Sequence, residues 1–338
     1  VRRCGAFHRR ATGSSCYRCC EIPQRRPFGT TKGGDDVHAI TLAAHSLSVT
    51  ILTLGAILQD VRLNGIAHGL TVGSDHVSDY DGAMKYHGCV VAPVANRLKD
   101  ASAKVDGQLH QFEANLDGRH TLHSGSDAAQ GQVWQIDEAT PKHLILSHDM
   151  PHGRGGFPGN RTITARFEIL SGPALRLTLT TTTDRTTIAN ATNHSYWNLD
   201  GSADFNGQQL QITAPSYLPV DDISTLVTGD VRDVAATPYD FREMTTLMAG
   251  HPALDHTFCV ATNRRDLTTC LTLKGRNGVT MTVATTEAGM HVYDGRDTGY
   301  AGLAIEAQGW PDAPNNASFP SIQITPDAPA VQITEWRF

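Results

Sequence analysis

Short segments in which apolar and polar residues alternate recur along the chain, and they constrain the fold more than any other feature. Residues 175–183 read LRLTLTTTT, with a leucine at every second position before the run of threonines. Leu47, Val49 and Ile51 alternate in the same way with a serine and a threonine. A period of two is typical of a strand with one buried face, because successive side chains of a strand point to opposite sides.

Turn residues separate these segments and indicate hairpins. An Asp-Gly pair divides residues 103–112, a glycine-flanked turn divides residues 271–286, and residues 331–338 form a last strand. No segment predicts a helix longer than two turns, although residues 241–250 predict one short helix that ends at a glycine. We therefore predict an all-β protein, with two large, mainly antiparallel sheets packed face to face in one domain.

Composition and charge exclude several classes of partner. The 338 residues are 40% hydrophobic and 18% charged, which is enough apolar material for a core. The net charge is −6 and no basic run follows residue 26, so we expect neither a nucleic acid nor an anionic membrane as partner. Residues 40–58 have about the length of a membrane span, but His45 and several hydroxyl residues interrupt them.

The first 26 residues differ from the rest. They are rich in Arg and Cys and lack the apolar segment of a secretory signal. Cys16 and Cys19 have a zinc-ligand spacing, but no second ligand pair follows at a suitable distance. We predict a disordered extension over residues 1–26 and a single domain over residues 27–338.

The seven cysteines do not predict a disulfide framework. Four lie in the N-terminal extension, and the other three, Cys89, Cys259 and Cys270, are scattered. The reducing cytoplasm is therefore the expected compartment.

Three polar positions in this β-rich background carry residues that suit chemistry, and each also has an ordinary structural explanation. Arg97 in VANR has a planar fork that suits an acceptor in a cleft, or a surface ion pair. His123 lies in the loop GRHTLHSG, where a solvated histidine is common. His194 lies in NATNHSYWNLDG, among amides and beside two aromatic residues. Its ring suits proton exchange near neutral pH, or a structural hydrogen-bond network.

Two further positions are carboxylates. Asp255 in LDHTF follows a proline closely, where a structural turn aspartate is common. Glu306 interrupts the apolar strand GLAIEAQGW, where an ionised carboxylate is costly unless it is paired. Gln308 and Trp310 follow on the same face of that strand, and a carboxylate, an amide and an indole in one row would suit a sugar. The alternative is a strand-edge glutamate that faces water.

Several common site motifs are absent from the sequence. It contains 16 histidines but no HExxH and no paired ligand spacing, so we expect no metal. It contains neither a dinucleotide fingerprint after a strand, nor a P-loop, nor a GxSxG elbow. We therefore expect no cofactor.

Taken together and in order, the motifs resemble those of the aldose 1-epimerase, or galactose mutarotase, family. The resemblance covers nearly the whole chain after Pro27. NHSYWNL at Asn193 and EAQGWPDAPN at Glu306 carry it most specifically. Shorter motifs occur around these two in the family order, namely FGTT, YHG, VANR, LHSG, GFPGN, YLPVD, TPYDFR, LDHTF and FPS.

The resemblance implies a β-supersandwich with a sugar-binding cleft. It implies an enzyme that interconverts the α and β anomers of free aldoses such as galactose and glucose without a cofactor. We expect a monomer or homodimer. Glu306 matches the general base of the family and His194 its general acid. The resemblance also implies that a further set of residues holds or lines the monosaccharide site, namely Asn96, Arg97, His123, Tyr196, Asp255 and His291.

Two positions depart from the family pattern. The family commonly has Gly-Arg shortly before its Ala-Asn-Arg, where this chain has Ala92-Pro93, which we expect to reshape the cleft wall or a strand edge. His291 in GMHVY replaces a glutamine that often contacts the sugar, and it retains the capacity to hydrogen-bond.

The reaction itself requires an acid and a base. Opening the ring removes a proton from the C1 hydroxyl and adds one to the ring oxygen, and a concerted transfer avoids a free alkoxide and a free oxonium. Glutamate and histidine, with reference pKa values of about 4.3 and 6.5, suit these two roles. We expect the charge of Asp255 to hold His194 in its protonated form.

Three alternatives stay open on the sequence alone. A hexose-6-phosphate mutarotase of the same fold needs a cluster of Arg or Lys, and only Arg97 lies near the motifs. A non-catalytic carbohydrate-binding protein would lack one member of the acid–base pair. A glycosidase would use Glu306 and Asp255 as its two carboxylates and would leave His194 without a role.

Overall fold

The computed structural model describes residues 23–126 and 128–338. Most of the predicted extension, including Cys16 and Cys19, lies outside the described residues. Its last residues, Gln24 to Arg26, belong to the first strand and pair with the second.

The strands of the described residues are, in chain order, β1 (Gln24–Thr30), β2 (Asp36–Ala44), β3 (Leu47–Leu52), β4 (Leu58–Leu63), β5 (Val90–Val91), β6 (Arg97–Leu98), β7 (Ser102–Val105), β8 (Gln108–Gln111), β9 (Thr121–Leu122), β10 (Gln135–Ala139), β11 (His143–Met150), β12 (Arg161–Leu170), β13 (Ala174–Thr183), β14 (Thr187–Ile188), β15 (Thr192–Asn193), β16 (Tyr196–Trp197), β17 (Gln209–Ile212), β18 (Ser216–Leu218), β19 (Arg232–Asp233), β20 (Thr245–Thr246), β21 (Asp255–Cys259), β22 (Thr268–Lys274), β23 (Thr280–Thr285), β24 (Gly289–Tyr293), β25 (Leu303–Gln308), β26 (Gln323–Ile324) and β27 (Ala330–Arg337). The helical elements are α1 (Val77–Tyr80) and the 3₁₀ turns Lys99–Ala101, Ala129–Gly131, Arg154–Gly156, Arg296–Thr298 and Ala313–Asn315.

Three sheets make up the body of the protein. The largest has the strand order β10-β11-β12-β13-β27-β23-β22-β17-β20, the second β16-β25-β24-β21-β18-β19, and the third β1-β2-β3-β4. All neighbouring strands in these sheets are antiparallel. The predicted all-β architecture with large antiparallel sheets is confirmed. Within the described part of the chain, no helix is long and apolar enough to cross a bilayer.

The alternation of side chains builds the core. One apolar cluster takes residues from all three sheets, among them Leu42, Phe167, Leu177, Phe258 and Leu303. Burying each of these side chains contributes about 1.5–3 kcal/mol, so the facing sheets are held together mainly by the hydrophobic effect. The predicted strands at Leu47, at residues 175–183, and at the C-terminus all supply this core.

Local turn chemistry was predictable. Strands β7 and β8 pair across Asp106 and Gly107, which have φ angles of 50° and 74°. Positive φ at both central residues is what a type I′ hairpin turn requires, and an Asp-Gly pair meets it with little strain.

The predicted short helix at residues 241–250 is wrong. Thr245 and Thr246 form β20 at the edge of the largest sheet and pair with β17, and the N–H of Leu247 donates to the carbonyl of Gln208 at 2.8 Å. Pairing with a distant strand therefore outweighs the weak local preference for a helix.

The same alternation places polar side chains on the other face of the second sheet. Met290 and Val292 of β24, and Ile305 of β25, point into the core. Since neighbours along a strand point to opposite faces, His291 and Glu306 lie on the face that the core does not use.

Candidate active site

The register of the second sheet brings two candidate residues, His291 and Glu306, side by side in one row. Thr257 pairs with His291, and His291 pairs with Glu306 on the next strand. Tyr196 pairs with Ala304 on the far side of β25, and His194, two residues before Tyr196, lies beside Glu306. The His194 Nε2 and Glu306 Oε1 atoms are 3.4 Å apart.

A second row runs parallel to the first, two residues along each strand. Asp255 pairs with Tyr293, Tyr293 pairs with Ala304, and Ala304 pairs with Tyr196. Residues two apart on a strand share a face, so both rows line the same side of the sheet.

Asn96 and His123 reach the site from outside the second sheet, next to a separate two-stranded sheet. Both have left-handed backbones, with φ angles of 60° and 50°, at the ends of the short strands β6 and β9. The N–H of His123 donates to the carbonyl of Asn96 at 2.9 Å, and the N–H of Asn96 donates to Nδ1 of His123 at 3.0 Å. Since Nδ1 accepts a hydrogen bond, the neutral His123 ring carries its proton on Nε2.

His123 stays uncharged at neutral pH. Burial, followed by repulsion from the charge on His194, lowers the pKa of His123 well below its usual value. Its free N–H is therefore a neutral hydrogen-bond donor, suited to an uncharged hydroxyl or ring oxygen.

Asp255 is held by two cationic or donor partners. Arg97 makes a two-pronged contact with it, Nη2 to Oδ2 at 3.1 Å and Nη1 to Oδ1 at 3.4 Å. Nε2 of His291 lies 3.0 Å from Oδ1, and Nδ1 of His291 lies 2.9 Å from the Thr257 hydroxyl. Burial raises the pKa of Asp255, but the hydrogen bond from His291 and the charge of Arg97 outweigh it and hold that pKa below the usual range.

The prediction that Asp255 is the anion holding His194 in its charged form is therefore wrong. The carboxylate beside His194 is Glu306, and Asp255 is engaged by Arg97 and His291 instead. The sequence could not show this, because which carboxylate lies beside a histidine depends on strand pairing across the sheet.

The His194–Glu306 pair is buried, and each side chain has one polar atom without a hydrogen-bond partner in the described part of the chain. The two side chains are 5% and 1% exposed. His194 Nδ1 and Glu306 Oε2 are buried and have no hydrogen-bond partner among the described residues. An unsatisfied buried polar atom costs about 1–3 kcal/mol, so the pair is held in place at a cost to stability, as is common at functional sites.

A cavity of about 300 Å³ lies over this face of the sheet. All eight predicted site residues line it, from both rows and from the Asn96–His123 side. The complete lining is Tyr86, Asn96, Arg97, Leu122, His123, His194, Tyr196, Thr225, Asp255, His291, Tyr293, Arg296, Asp297 and Glu306.

Several lining residues were missed by sequence reasoning. Tyr86 lies in YHG, and Tyr293 follows His291 by two residues, so strand alternation was a signal that could have found Tyr293. Arg296 and Asp297 lie in a 3₁₀ turn after β24 and carry no comparable signal.

The prediction that Gln308 and Trp310 join Glu306 in a sugar site is wrong. Gln308 is fully buried and does not line the cavity. Trp310 is also buried, donates from its indole N–H to the Ala288 carbonyl at 3.1 Å and packs edge-on against Phe319 at 5.0 Å. Strand β25 ends at Gln308, so the strand periodicity that placed Trp310 on that face no longer applies.

Within the described residues, no group of three or more His, Cys, Asp or Glu side chains is arranged to hold a metal ion. The charged side chains at the cavity form ion pairs with each other instead, Arg97 with Asp255 and His194 with Glu306. The zinc-like cysteine spacing lies outside the described residues.

Buried neutral histidines predict a loss of stability at mildly acidic pH. Burial, then repulsion from a neighbouring histidine, lowers the pKa of both His87 and His256 from 6.5 to about 4. Between these values the unfolded chain binds more protons than the folded one, so stability falls as pH drops from about 6.5 to about 4. Melting temperatures across this range test the expectation. The slope with pH should be smaller for His87→Phe and His256→Phe, and an unchanged slope in both variants would contradict it.

Comparisons with known proteins agree with this geometry. The sequence model of the family described as Aldose 1-epimerase matches residues 38–331. Galactose mutarotase of Homo sapiens is 28% identical over 343 residues, which cover 93% of this chain and 98% of that protein. Aldose 1-epimerase of Escherichia coli strain K12 is 25% identical over 334 residues, covering 90% of this chain and 96% of that protein.

Solved structures show the same fold. An aldose epimerase homologue from C. elegans superposes with a TM-score of 0.82 at 25% identity, covering 88% of this chain and 98% of the other. Galactose 1-epimerase from Lactobacillus acidophilus NCFM gives a TM-score of 0.81 at 25% identity, covering 94% and 98%. The predicted fold of the galactose mutarotase type is confirmed. Because the family match spans most of the sequence and the fold agrees over the same length, the chain belongs to the aldose 1-epimerase family.

Proposed function

We propose that this aldose 1-epimerase interconverts the α and β anomers of galactose- and glucose-like monosaccharides in the cavity over the second sheet, with Glu306 as base and His194 as acid. The observation that carries the proposal is the buried contact of 3.4 Å between His194 and Glu306, each with an unpartnered polar atom.

The geometry suits the two proton transfers. The C1 hydroxyl and the ring oxygen are bonded to the same carbon, so the acid and the base must be close neighbours. Glu306 accepts the proton of the C1 hydroxyl while His194 donates a proton to the ring oxygen, and the C1–ring oxygen bond breaks to give the open aldehyde. After rotation about C1–C2 the ring oxygen attacks the other face of the aldehyde, and the two protons return.

The remaining polar residues supply donors and acceptors for hydroxyl groups. His123 presents a neutral N–H, Asp255 presents carboxylate oxygens that Arg97 and His291 hold in place, and Asn96 lies 3.3 Å from the His291 ring. We propose these five residues and Tyr196, which lines the same cavity, as the sugar-binding set.

Galactose is the first substrate to test, because several curated relatives of similar length are galactose mutarotases.

Both ring nitrogens of His291 contact protein groups, namely the Thr257 hydroxyl and the Asp255 carboxylate. We therefore propose that His291 acts on the sugar mainly by fixing Asp255.

Charge at the cavity disfavours a phosphorylated sugar. Arg97 is paired with Asp255, and Arg296 is paired with Asp294 at 2.8 Å. An adjoining cavity of about 390 Å³ shares Thr225, Asp255 and Arg296 with the first, and its lining adds more acids than bases, namely Asp221 and Asp222 against Arg232. A phosphate group would need unpaired Arg or Lys side chains there.

A panel of sugars tests this specificity. Freshly dissolved α-galactose and α-glucose should equilibrate faster with the protein by polarimetry or anomer-exchange NMR, whereas glucose 6-phosphate should not. Acceleration of the 6-phosphate alone would contradict the proposal and favour a hexose-6-phosphate mutarotase.

Two other functions are less well supported by the geometry. A glycosidase would need Asp255 as a second free carboxylate, but Arg97 and His291 occupy it. A silent binding protein has no need for the His194–Glu306 pair. Release of sugar from a nitrophenyl glycoside would support a glycosidase, and binding without turnover would support a silent module.

We further propose a cytoplasmic protein, a monomer or homodimer, in which a single domain follows an N-terminal extension. The three cysteines of the described residues, Cys89, Cys259 and Cys270, are buried and free, as a reducing compartment allows.

A further inference from the structure

His194 lies within a stack of aromatic rings. Its centroid is 5.2 Å from that of Tyr196 and 5.9 Å from that of Tyr86, with interplanar angles of 29° and 27°. His87 stacks in turn on Tyr196, at 3.9 Å and 9°. We refer to His87, Tyr196, His194 and Tyr86 as the ring stack.

Backbone hydrogen bonds bring the members of the ring stack together. The N–H of Gly88 donates to the carbonyl of His194 at 2.9 Å, and the N–H of His194 donates to the carbonyl of Cys89 at 2.9 Å. The segment that carries Tyr86 and His87 is therefore fixed beside His194.

Hydrogen bonds do not fix the ring of His194. Its Nε2 lies 3.4 Å from Glu306, and its Nδ1 has no hydrogen-bond partner among the described residues. A functional histidine is usually oriented by the hydrogen bond of its second nitrogen. Here neighbouring rings enclose the imidazole, with Tyr86 and Tyr196 stacked on it and His123 perpendicular to it at 5.4 Å.

His87 is the member of the ring stack that does not line the cavity. It is 3% exposed, and its Nε2 is buried without a partner. Burial, followed by repulsion from His194, lowers the pKa of His87 to about 4, so His87 is neutral near neutral pH. The buried Nε2 makes no contact within the described residues that would explain a histidine at this position, whereas the ring face stacks on Tyr196.

We propose that the ring stack positions the imidazole of His194 for proton transfer and that His87 is a positioning residue acting through Tyr196. The proposal rests on the acid role of His194 stated above. Stacked rings at these separations attract each other, and a misplacement of about 1 Å at a reacting group can reduce a rate by about 10²-fold.

The test compares His87→Ala with His87→Phe. Alanine removes the ring that supports Tyr196, so we expect kcat for mutarotation to fall about tenfold. KM should change less than kcat, because Tyr196 is one of six proposed sugar-binding residues and His87 itself does not line the cavity. Phenylalanine restores a flat ring without the unpartnered nitrogen, so its kcat should recover towards the wild-type value and its melting temperature should not fall. Equal kcat in both variants, whether normal or reduced, would overturn the proposal.

A second measurement does not depend on turnover. The ring protons of His194 lie over tyrosine faces, so their NMR shifts in the resting protein should move in His87→Ala and stay in place in His87→Phe. Unmoved shifts in His87→Ala would overturn the ring stack even if His194 is the acid. A fully active His194→Asn variant would instead overturn the acid role, while the shifts still report on the stack.

A pair of variants at Tyr196 tests the same proposal if His87→Ala does not fold. Tyr196→Leu should reduce kcat more than Tyr196→Phe, because only phenylalanine keeps the stacked ring. An equal loss in both variants would assign the effect to the lost hydroxyl and contradict the proposal.

Discussion

Glu306→Gln is expected to reduce kcat for mutarotation by at least about 10²-fold while leaving the fold intact. Glutamine has nearly the same shape but cannot accept the proton of the C1 hydroxyl. His194→Asn should have an effect of similar size, because it removes the proton donor. Both are measured by the rate of optical-rotation change of α-galactose, and circular dichroism checks the fold.

A matched control is available in Glu287. It is a buried carboxylate paired with Arg264 at 2.9 Å, and it lies outside the sugar cavity. Glu287→Gln makes the same chemical change at a different place, so kcat should stay near the wild-type value. Wild-type turnover by Glu306→Gln, or an equal loss in Glu287→Gln, would refute the base assignment.

Among the substitutions proposed for the site, Asp255→Ala is expected to reduce the free energy of unfolding most. It should also raise KM. It would leave Arg97 and His291 without their shared carboxylate in a site where Arg97 and Asp255 are 14% and 13% exposed. Removing one partner of a fully buried ion pair typically costs about 3–5 kcal/mol, so for this partly buried pair we expect the lower end of that range, about 3 kcal/mol. Urea unfolding measures the loss, and steady-state polarimetry measures KM.

An exposed pair provides the comparison. Asp240 contacts Arg242 at 2.7 Å, and both side chains are partly exposed to water. Since solvent screens such pairs, Asp240→Ala should leave stability close to that of the wild type. A double variant that combines Asp255→Leu with Arg97→Leu should also be measured. Its loss of stability should be smaller than the sum of the losses in the two single leucine variants. Additive losses would show that Asp255 and Arg97 are not coupled.

The response of stability to acid differs between Asp255 and the buried histidines. Asp255, whose pKa is lowered in the folded state, contributes stability that is present above its unfolded pKa and is lost as pH falls through the folded value. Its contribution is thus lost only in strong acid. The loss expected near pH 5 comes from His87 and His256 instead.

The sequence predicted strands and turns well because their signals are local. Alternation at residues 175–183 and the Asp106-Gly107 pair depend only on neighbours a few positions away. The helix expected at residues 241–250 failed because Thr245 pairs with β17, more than thirty positions earlier in the chain.

At the candidate site, too, the residue types were predictable from the sequence and their contacts were not. All eight residues that the motifs suggested line one cavity. The motifs could identify them because a motif specifies which side chains are present. The partner of His194, the commitment of Asp255 to Arg97 and His291, and the burial of Trp310 away from the cavity were not predictable.

By itself, the sequence determined the fold class, the faces of the strands and the residue types available for chemistry, because a period of two and a turn pair act over a few residues. Only the tertiary structure decided which carboxylate lies beside His194 and which rings enclose it. Those contacts join strands far apart along the chain. They are set by the register of hydrogen bonds between strands and by close packing of the sheets.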